Sequence, residues 1–96
     1  MPTYLRLPRF NRDWDHLTPH EQARFRAALA VFVADLAAGN GFRPGLRVKK
    51  MAGHEIWEMT WAPDGRATFS YGEPVKDGEA HIIWRRIGSH QIFTAP

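Results

Sequence analysis

The chain contains no cysteine, which excludes disulfide scaffolds, thiolate zinc sites and cysteine nucleophiles and agrees with a reducing cytoplasm. It has no apolar run of membrane-spanning length, and Met1-Pro2-Thr3-Tyr4 does not begin a basic region followed by an apolar one. Neither a membrane span nor a secretory leader is therefore expected. Internal repeats, low-complexity segments and linkers are missing as well. A chain of 96 residues has room for one core of two packed layers but not for two cores, so residues 1–96 read as a single domain. The expectation is a small, soluble, cytoplasmic protein with one site or one surface.

What is present is aromatic and unevenly charged. Four Trp and six Phe supply a core, with rings left over for stacking on bases. The net charge is only +3, but Arg43, Arg47, Lys49 and Lys50 share an acid-free segment. Such a cluster suits a polyanion such as RNA, through charge and counterion release. A short basic run is also common as plain solvated surface.

The hydrophobic pattern predicts an α+β fold. Leu5 and Leu7 lie on one face of a short strand over Thr3 to Leu7, which Pro8 ends. Phe10, Trp14 and Leu17 form the stripe of a short helix over Arg9 to Leu17. Thr18-Pro19-His20-Glu21 is a capping box with proline at the first helical position. Behind it, Phe25, Ala28, Leu29, Phe32, Val33 and Leu36 make the apolar face of a second helix, stopped at Gly39-Asn40-Gly41. Phe42 to Gly53 reads as a loop or short edge strand carrying positive charge up to the sheet. Ile56 to Trp61 alternates, with Trp57, Met59 and Trp61 on one side and Glu58 and Thr60 on the other.

Pro63-Asp64-Gly65 is a turn, in which glycine is expected to supply a positive φ. Arg66 to Gly72 returns with Ala67, Phe69 and Tyr71 on one face, and Ala80 to Ile87 is the last strand. The whole is a short N-terminal strand and two helices packed on an antiparallel β-meander.

Chemistry concentrates at the end of the last strand. Ile82-Ile83-Trp84-Arg85-Arg86-Ile87 is a buried-strand pattern that breaks at Gly88 and delivers His90, with Phe93 close behind. Histidine titrates near neutrality and can move protons, and arginine is a permanent, geometrically suited phosphate ligand. Metal-free RNA cleavage needs a base for the 2′-hydroxyl, an acid for the leaving 5′-oxygen and cations for the phosphate, with no cofactor. His90 and Arg66 fit those roles, and Glu55 and Glu58 are further carboxylates in reach of the sheet. Strand-end arithmetic, however, sets Arg66 and His90 at opposite edges, about 20 Å apart for a seven-residue strand. His16, His20, His54 and His81 are read as bystanders.

The element order, together with Gly-Leu-Arg-Val-Lys-Lys-Met-Ala-Gly at 45–53, Trp57-Glu58-Met59, Asp64-Gly65-Arg66 and Ile87-Gly88-Ser89-His90-Gln91-Ile92-Phe93, resembles the RelE/ParE toxin superfamily along nearly the whole chain. The resemblance implies the toxin of a bacterial type II toxin–antitoxin system, an endoribonuclease that cuts mRNA, commonly within the ribosome, and is silenced by an antitoxin. It implies His90 as the acid or base, Arg66 on the scissile phosphate and Lys49 and Lys50 as the basic pair before the sheet. Arg47 and Arg86 are expected on the RNA backbone. Phe93 matches the terminal aromatic, but without tyrosine's hydroxyl it can stack on a base and cannot transfer a proton. The alternative is a non-enzymatic module of the same fold, either a ParE-like gyrase inhibitor or an inactive antitoxin- or RNA-binding domain.

Overall fold

A computed structural model describes residues 2–96. Strand β1 (Thr3–Arg6) is followed by helices α1 (Pro8–Asp15) and α2 (Pro19–Ala38), then strands β2 (Lys49–Lys50), β3 (Trp57–Ala62), β4 (Gly65–Tyr71) and β5 (His81–Gly88). A 3-10 turn over Pro44–Leu46 precedes β2, and another over His90–Thr94 follows β5. The five strands form one sheet in the order β1-β5-β4-β3-β2. The meander β3-β4-β5 is antiparallel as the alternation predicts. β2 joins it as a short edge strand. β1 pairs with β5 in parallel, so the sheet is mixed.

The helices form where their caps dictate. Thr18 Oγ1 accepts from the Glu21 amide at 3.1 Å while Glu21 Oε1 accepts from the Thr18 amide at 2.8 Å, which satisfies two amides that the first turn leaves without helical partners. α2 ends at Gly39 in the left-handed conformation, φ 74°. α1 stops before the predicted Leu17, because Pro19 holds Thr18 extended and a continuous helix cannot pass through it. One ring cluster joins the layers. Phe10 and Phe25 lie against Trp84, Phe32 packs edge-on to Phe69 at 5.1 Å, and Phe25 meets Trp61 edge-on at 6.2 Å. Met59, Ala67 and Phe69 on the helix-facing side of the sheet are fully buried.

Two irregularities aim the ends of the strands. In β5, Thr68 pairs with Arg86 but Phe69 pairs with Trp84, so Arg85 is an extra residue. This bulge moves the alternation by one step, which is how Ile82, Trp84 and Ile87 are all buried in one core. In the β3–β4 turn, Gly65 is required for a different reason from the expected positive φ, which it does not adopt. A Cβ there would lie 2.6 Å from the Trp61 ring and 2.8 Å from the Ala62 Cβ, so the turn closes only because Gly65 has no side chain.

The basic segment after α2 is anchored by acid. Asp35 accepts from Arg43 Nε at 2.9 Å, Nη2 at 2.7 Å and the Arg43 amide at 3.0 Å. Arg43 is therefore committed to the fold. The Arg43 side-chain and backbone hydrogen bonds lower the Asp35 carboxyl from 3.8 to about 2. A folded-state value below the unfolded one gives a stabilisation that is complete above the unfolded pKa and lost as the pH falls through the folded one. Asp35→Asn should therefore lower the urea midpoint by a constant amount above about pH 4, with the gap closing toward about pH 2. A gap that persists at the acid end would mean that the ion pair is not its source.

Candidate functional site at the ends of β4 and β5

The register brings together what strand-end arithmetic had separated. Arg66 lies directly opposite Gly88, two residues before His90. In an antiparallel pair the start of one strand sits beside the end of its neighbour, so the start of β4 and the end of β5 meet at one edge. Arg66 Nη1 donates to the carbonyls of Ala62, Pro63 and Gly65 at 3.2, 3.3 and 3.0 Å. The arginine thus ties together the turn that carries Asp64.

Asp64, expected in the turn and with no role of its own, is the partner of His90. Its Oδ1 lies 2.7 Å from His90 Nδ1, and both side chains are 68% exposed. The hydrogen bond to His90 is the main cause that holds the Asp64 carboxyl below its ordinary value, and the charges of His90 and Arg66 act in the same direction. Ionised near neutrality, the carboxylate can only accept. The 2.7 Å contact therefore calls for a proton on His90 Nδ1 and leaves Nε2 out of it. A carboxylate that holds Nδ1–H in this way makes Nε2 the nitrogen that can exchange a proton.

Beside this pair, Arg47, Lys49, Glu58, Thr60 and Arg66 line a concave pocket of about 390 Å³. Glu58 lies 3.7 Å from Lys49 Nζ, so three cations surround one carboxylate. Arg47 enters the pocket from an unusual backbone: at φ 48° it is the only non-glycine residue with positive φ among the described residues. Left-handed backbone costs a residue with a side chain about 1–2 kcal/mol. Among the described residues no group of three or more His, Asp or Glu could hold a metal ion.

The other expected residues divide. Neighbouring strand residues point to opposite faces, so the Lys49-Lys50 pair is split. Lys50 leaves the pocket, bonds Glu55 at 2.9 Å and lies 5.7 Å from the Trp57 ring centre. Arg86, expected on RNA, is engaged within the fold. Its Nε and Nη2 donate to Asp13 at 2.6 and 3.1 Å, its Nη1 donates to Ala95 O at 3.1 Å, and its side chain is 22% exposed. Phe93 is half-buried in the C-terminal 3-10 turn, and among the described residues it touches no other ring. His16 and His20 are exposed as expected, while His81 bonds Thr3 Oγ1 at 2.7 Å and fastens β1 to β5.

Two helices on a five-stranded mixed sheet, with a histidine just past the last strand, form a fold shared with solved toxin structures. YafQ from E. coli strain BL21(DE3) superposes with a TM-score of 0.68 over 97% of this chain and 98% of that one, at 7% identity. YafQ in the E. coli DinJ–YafQ toxin–antitoxin complex matches with a TM-score of 0.66 over 94% and 93%, at 8% identity. A YoeB/ParE toxin from Agrobacterium tumefaciens matches with a TM-score of 0.65 over 92% and 98%, at 10% identity. At such identities the likeness is one of fold. No protein-family model and no curated protein matches the sequence. Among the described residues no helix is long and apolar enough to cross a membrane.

Proposed function

We propose that the chain is the toxin of a type II toxin–antitoxin pair and an endoribonuclease acting on mRNA, with His90 as its proton carrier. The observation that carries this reading is the 2.7 Å contact between Asp64 and His90, at the strand edge where Arg66 lies opposite Gly88. In this mechanism His90 Nε2 exchanges a proton with the reacting ribose or the leaving oxygen. Asp64 holds the ring and stabilises the imidazolium that forms. Arg66, Arg47 and Lys49 balance the charge that grows on the phosphate. Glu58, inside the same pocket, is the second carboxylate available for proton transfer, whereas Glu55 is engaged by Lys50. Phe93 has an unstacked ring to offer a flanking base.

The expected partner is an antitoxin protein, by analogy with the partner seen with YafQ. The groove between β1 and the helices suits such a chain. It is lined by Tyr4, Phe10, Trp14, Leu29, Val33 and Leu36, and Tyr4 and Leu5 of the adjoining edge strand are 65% and 51% exposed.

Primer extension on mRNA after induction tests the activity. New 5′ ends that depend on His90 support cleavage, whereas DNA-damage signalling without new ends supports the gyrase-inhibitor reading. Arg47 offers a separable check. Arg47→Gly relieves the left-handed backbone, so it should stabilise the fold by up to about 1 kcal/mol in urea unfolding. The same change should weaken RNA binding at low salt and flatten its salt dependence.

A further inference from the structure

We propose that Arg9 of α1 is a positioning residue for His90, acting through a clamp on the backbone that follows the C-terminal 3-10 turn. Arg9 Nη2 donates to Ala95 O, the same carbonyl that receives Arg86 Nη1 at 3.1 Å. Arg85 Nε donates to Pro96 O at 3.1 Å. Three guanidinium groups thus converge on the backbone oxygens of two consecutive residues. Side chains of consecutive residues point to opposite faces in a regular strand. Arg85 and Arg86 both reach the tail because Arg85 is the extra, unpaired residue of the β5 bulge beside Arg86.

The clamp is itself fastened to α1. Asp13 accepts from Arg86 Nε at 2.6 Å, from Arg86 Nη2 at 3.1 Å and from the Ile87 amide at 3.1 Å. One carboxylate on α1 therefore fixes both the strand that leads into the turn and the arginine that holds what leaves it. The turn needs such holding, because an isolated 3-10 turn has poor hydrogen-bond geometry and no cooperative length. Its internal anchors are few. Ser89 Oγ caps the Gln91 amide at 3.2 Å, and Ile92 is buried over Gly88, where a Cβ would meet Ile92 Cγ2 at 3.1 Å. His90 is the first residue of this turn, and among the described residues its side chain is held by Asp64. Its place over Asp64 is thus set by how the turn is seated at both ends.

The kinetic consequence rests on the ribonuclease reading, but the structural one does not. The test uses the intact chain carrying Arg9→Ala, with Arg9→Lys as the conservative control. Imidazole nitrogen NMR and RNA cleavage are read on both. In the parent, His90 is expected as the Nδ1–H tautomer. In Arg9→Ala it should become a mixture with the Nε2–H form, kcat should fall about tenfold or more with KM nearly unchanged, and Arg9→Lys should restore both readouts.

A His90 tautomer unchanged in Arg9→Ala overturns the proposal, as does a changed tautomer that Arg9→Lys fails to restore. A loss of kcat in Arg9→Ala with the parent tautomer assigns Arg9 another role and overturns it too. If the parent cleaves no RNA, the ribonuclease reading falls, and the tautomer comparison still decides the role of Arg9.

Discussion

His90→Ala is expected to lower the rate of RNA cleavage about 10²- to 10⁴-fold while leaving the unfolding midpoint and RNA affinity near those of the parent. The side chain is 68% exposed and contributes no core surface, so its removal opens no cavity. The cations of the neighbouring pocket, Arg47, Lys49 and Arg66, still attract the phosphates. Asp64→Asn should follow with a loss of about 10²-fold. A neutral amide no longer dictates which imidazole nitrogen carries the proton, and its NH₂ group can donate to Nδ1 and leave the proton on the wrong side. Single-turnover cleavage and binding anisotropy on the same RNA separate the two effects. Cleavage by His90→Ala at the parent rate would remove His90 from the chemistry.

Phe69→Ala is expected to cost about 3–5 kcal/mol of folding stability, a large share of the roughly 5–15 kcal/mol that a domain of this kind possesses. Phe69 is fully buried at the middle of β4. Its ring lies 5.1 Å from Phe32 on α2, 5.5 Å from Trp84 on β5 and 5.7 Å from Tyr71 on its own strand. The cavity would open where the helical layer meets the sheet, and rigid rings close such space poorly. Urea unfolding followed by tryptophan fluorescence measures the effect. A loss below about 1 kcal/mol, the range of ordinary non-core changes, would show that the ring cluster is not the stabilising centre of the core.

Much of the fold was legible because its signals are local. The Thr18 to Glu21 capping box, the stop at Gly39 and the Pro63-Asp64-Gly65 turn each act over a few residues. The alternation that puts Met59, Trp61, Ala67 and Phe69 on one face was equally readable, and so was the opposite face with Glu58, Thr60 and Arg66. That same period of two separates Lys49 from Lys50, although their adjacency in the sequence suggests a pair.

What local pattern does not carry is register. Asp64 and His90 are 26 positions apart, and Asp13 and Arg86 are 73 apart. No spacing rule joins them until the strands are paired. For that reason Arg86 resembled a free cation and Asp64 a mere turn residue. The strand-end error about Arg66 and His90 was of another kind: it applied the antiparallel rule in the wrong sense, and the pairing of Arg66 with Gly88 corrects it.

The extra residue in β5 restricts where the chain can tolerate a change of length. Deleting Arg85 would restore a regular ladder and keep the pairing on both sides of it, since Trp84 would still face Phe69 and Arg86 would still face Thr68. A further residue added between Trp84 and His90 would instead either turn Ile87 out of the core or move Gly88 off Arg66 and His90 off Asp64. A residue gained or lost in the exposed connection 73–78 leaves those pairings untouched. Changes of length should therefore be accepted between β4 and β5, whereas insertions should be rejected between Trp84 and His90, where the spacing sets the distance from the core to His90.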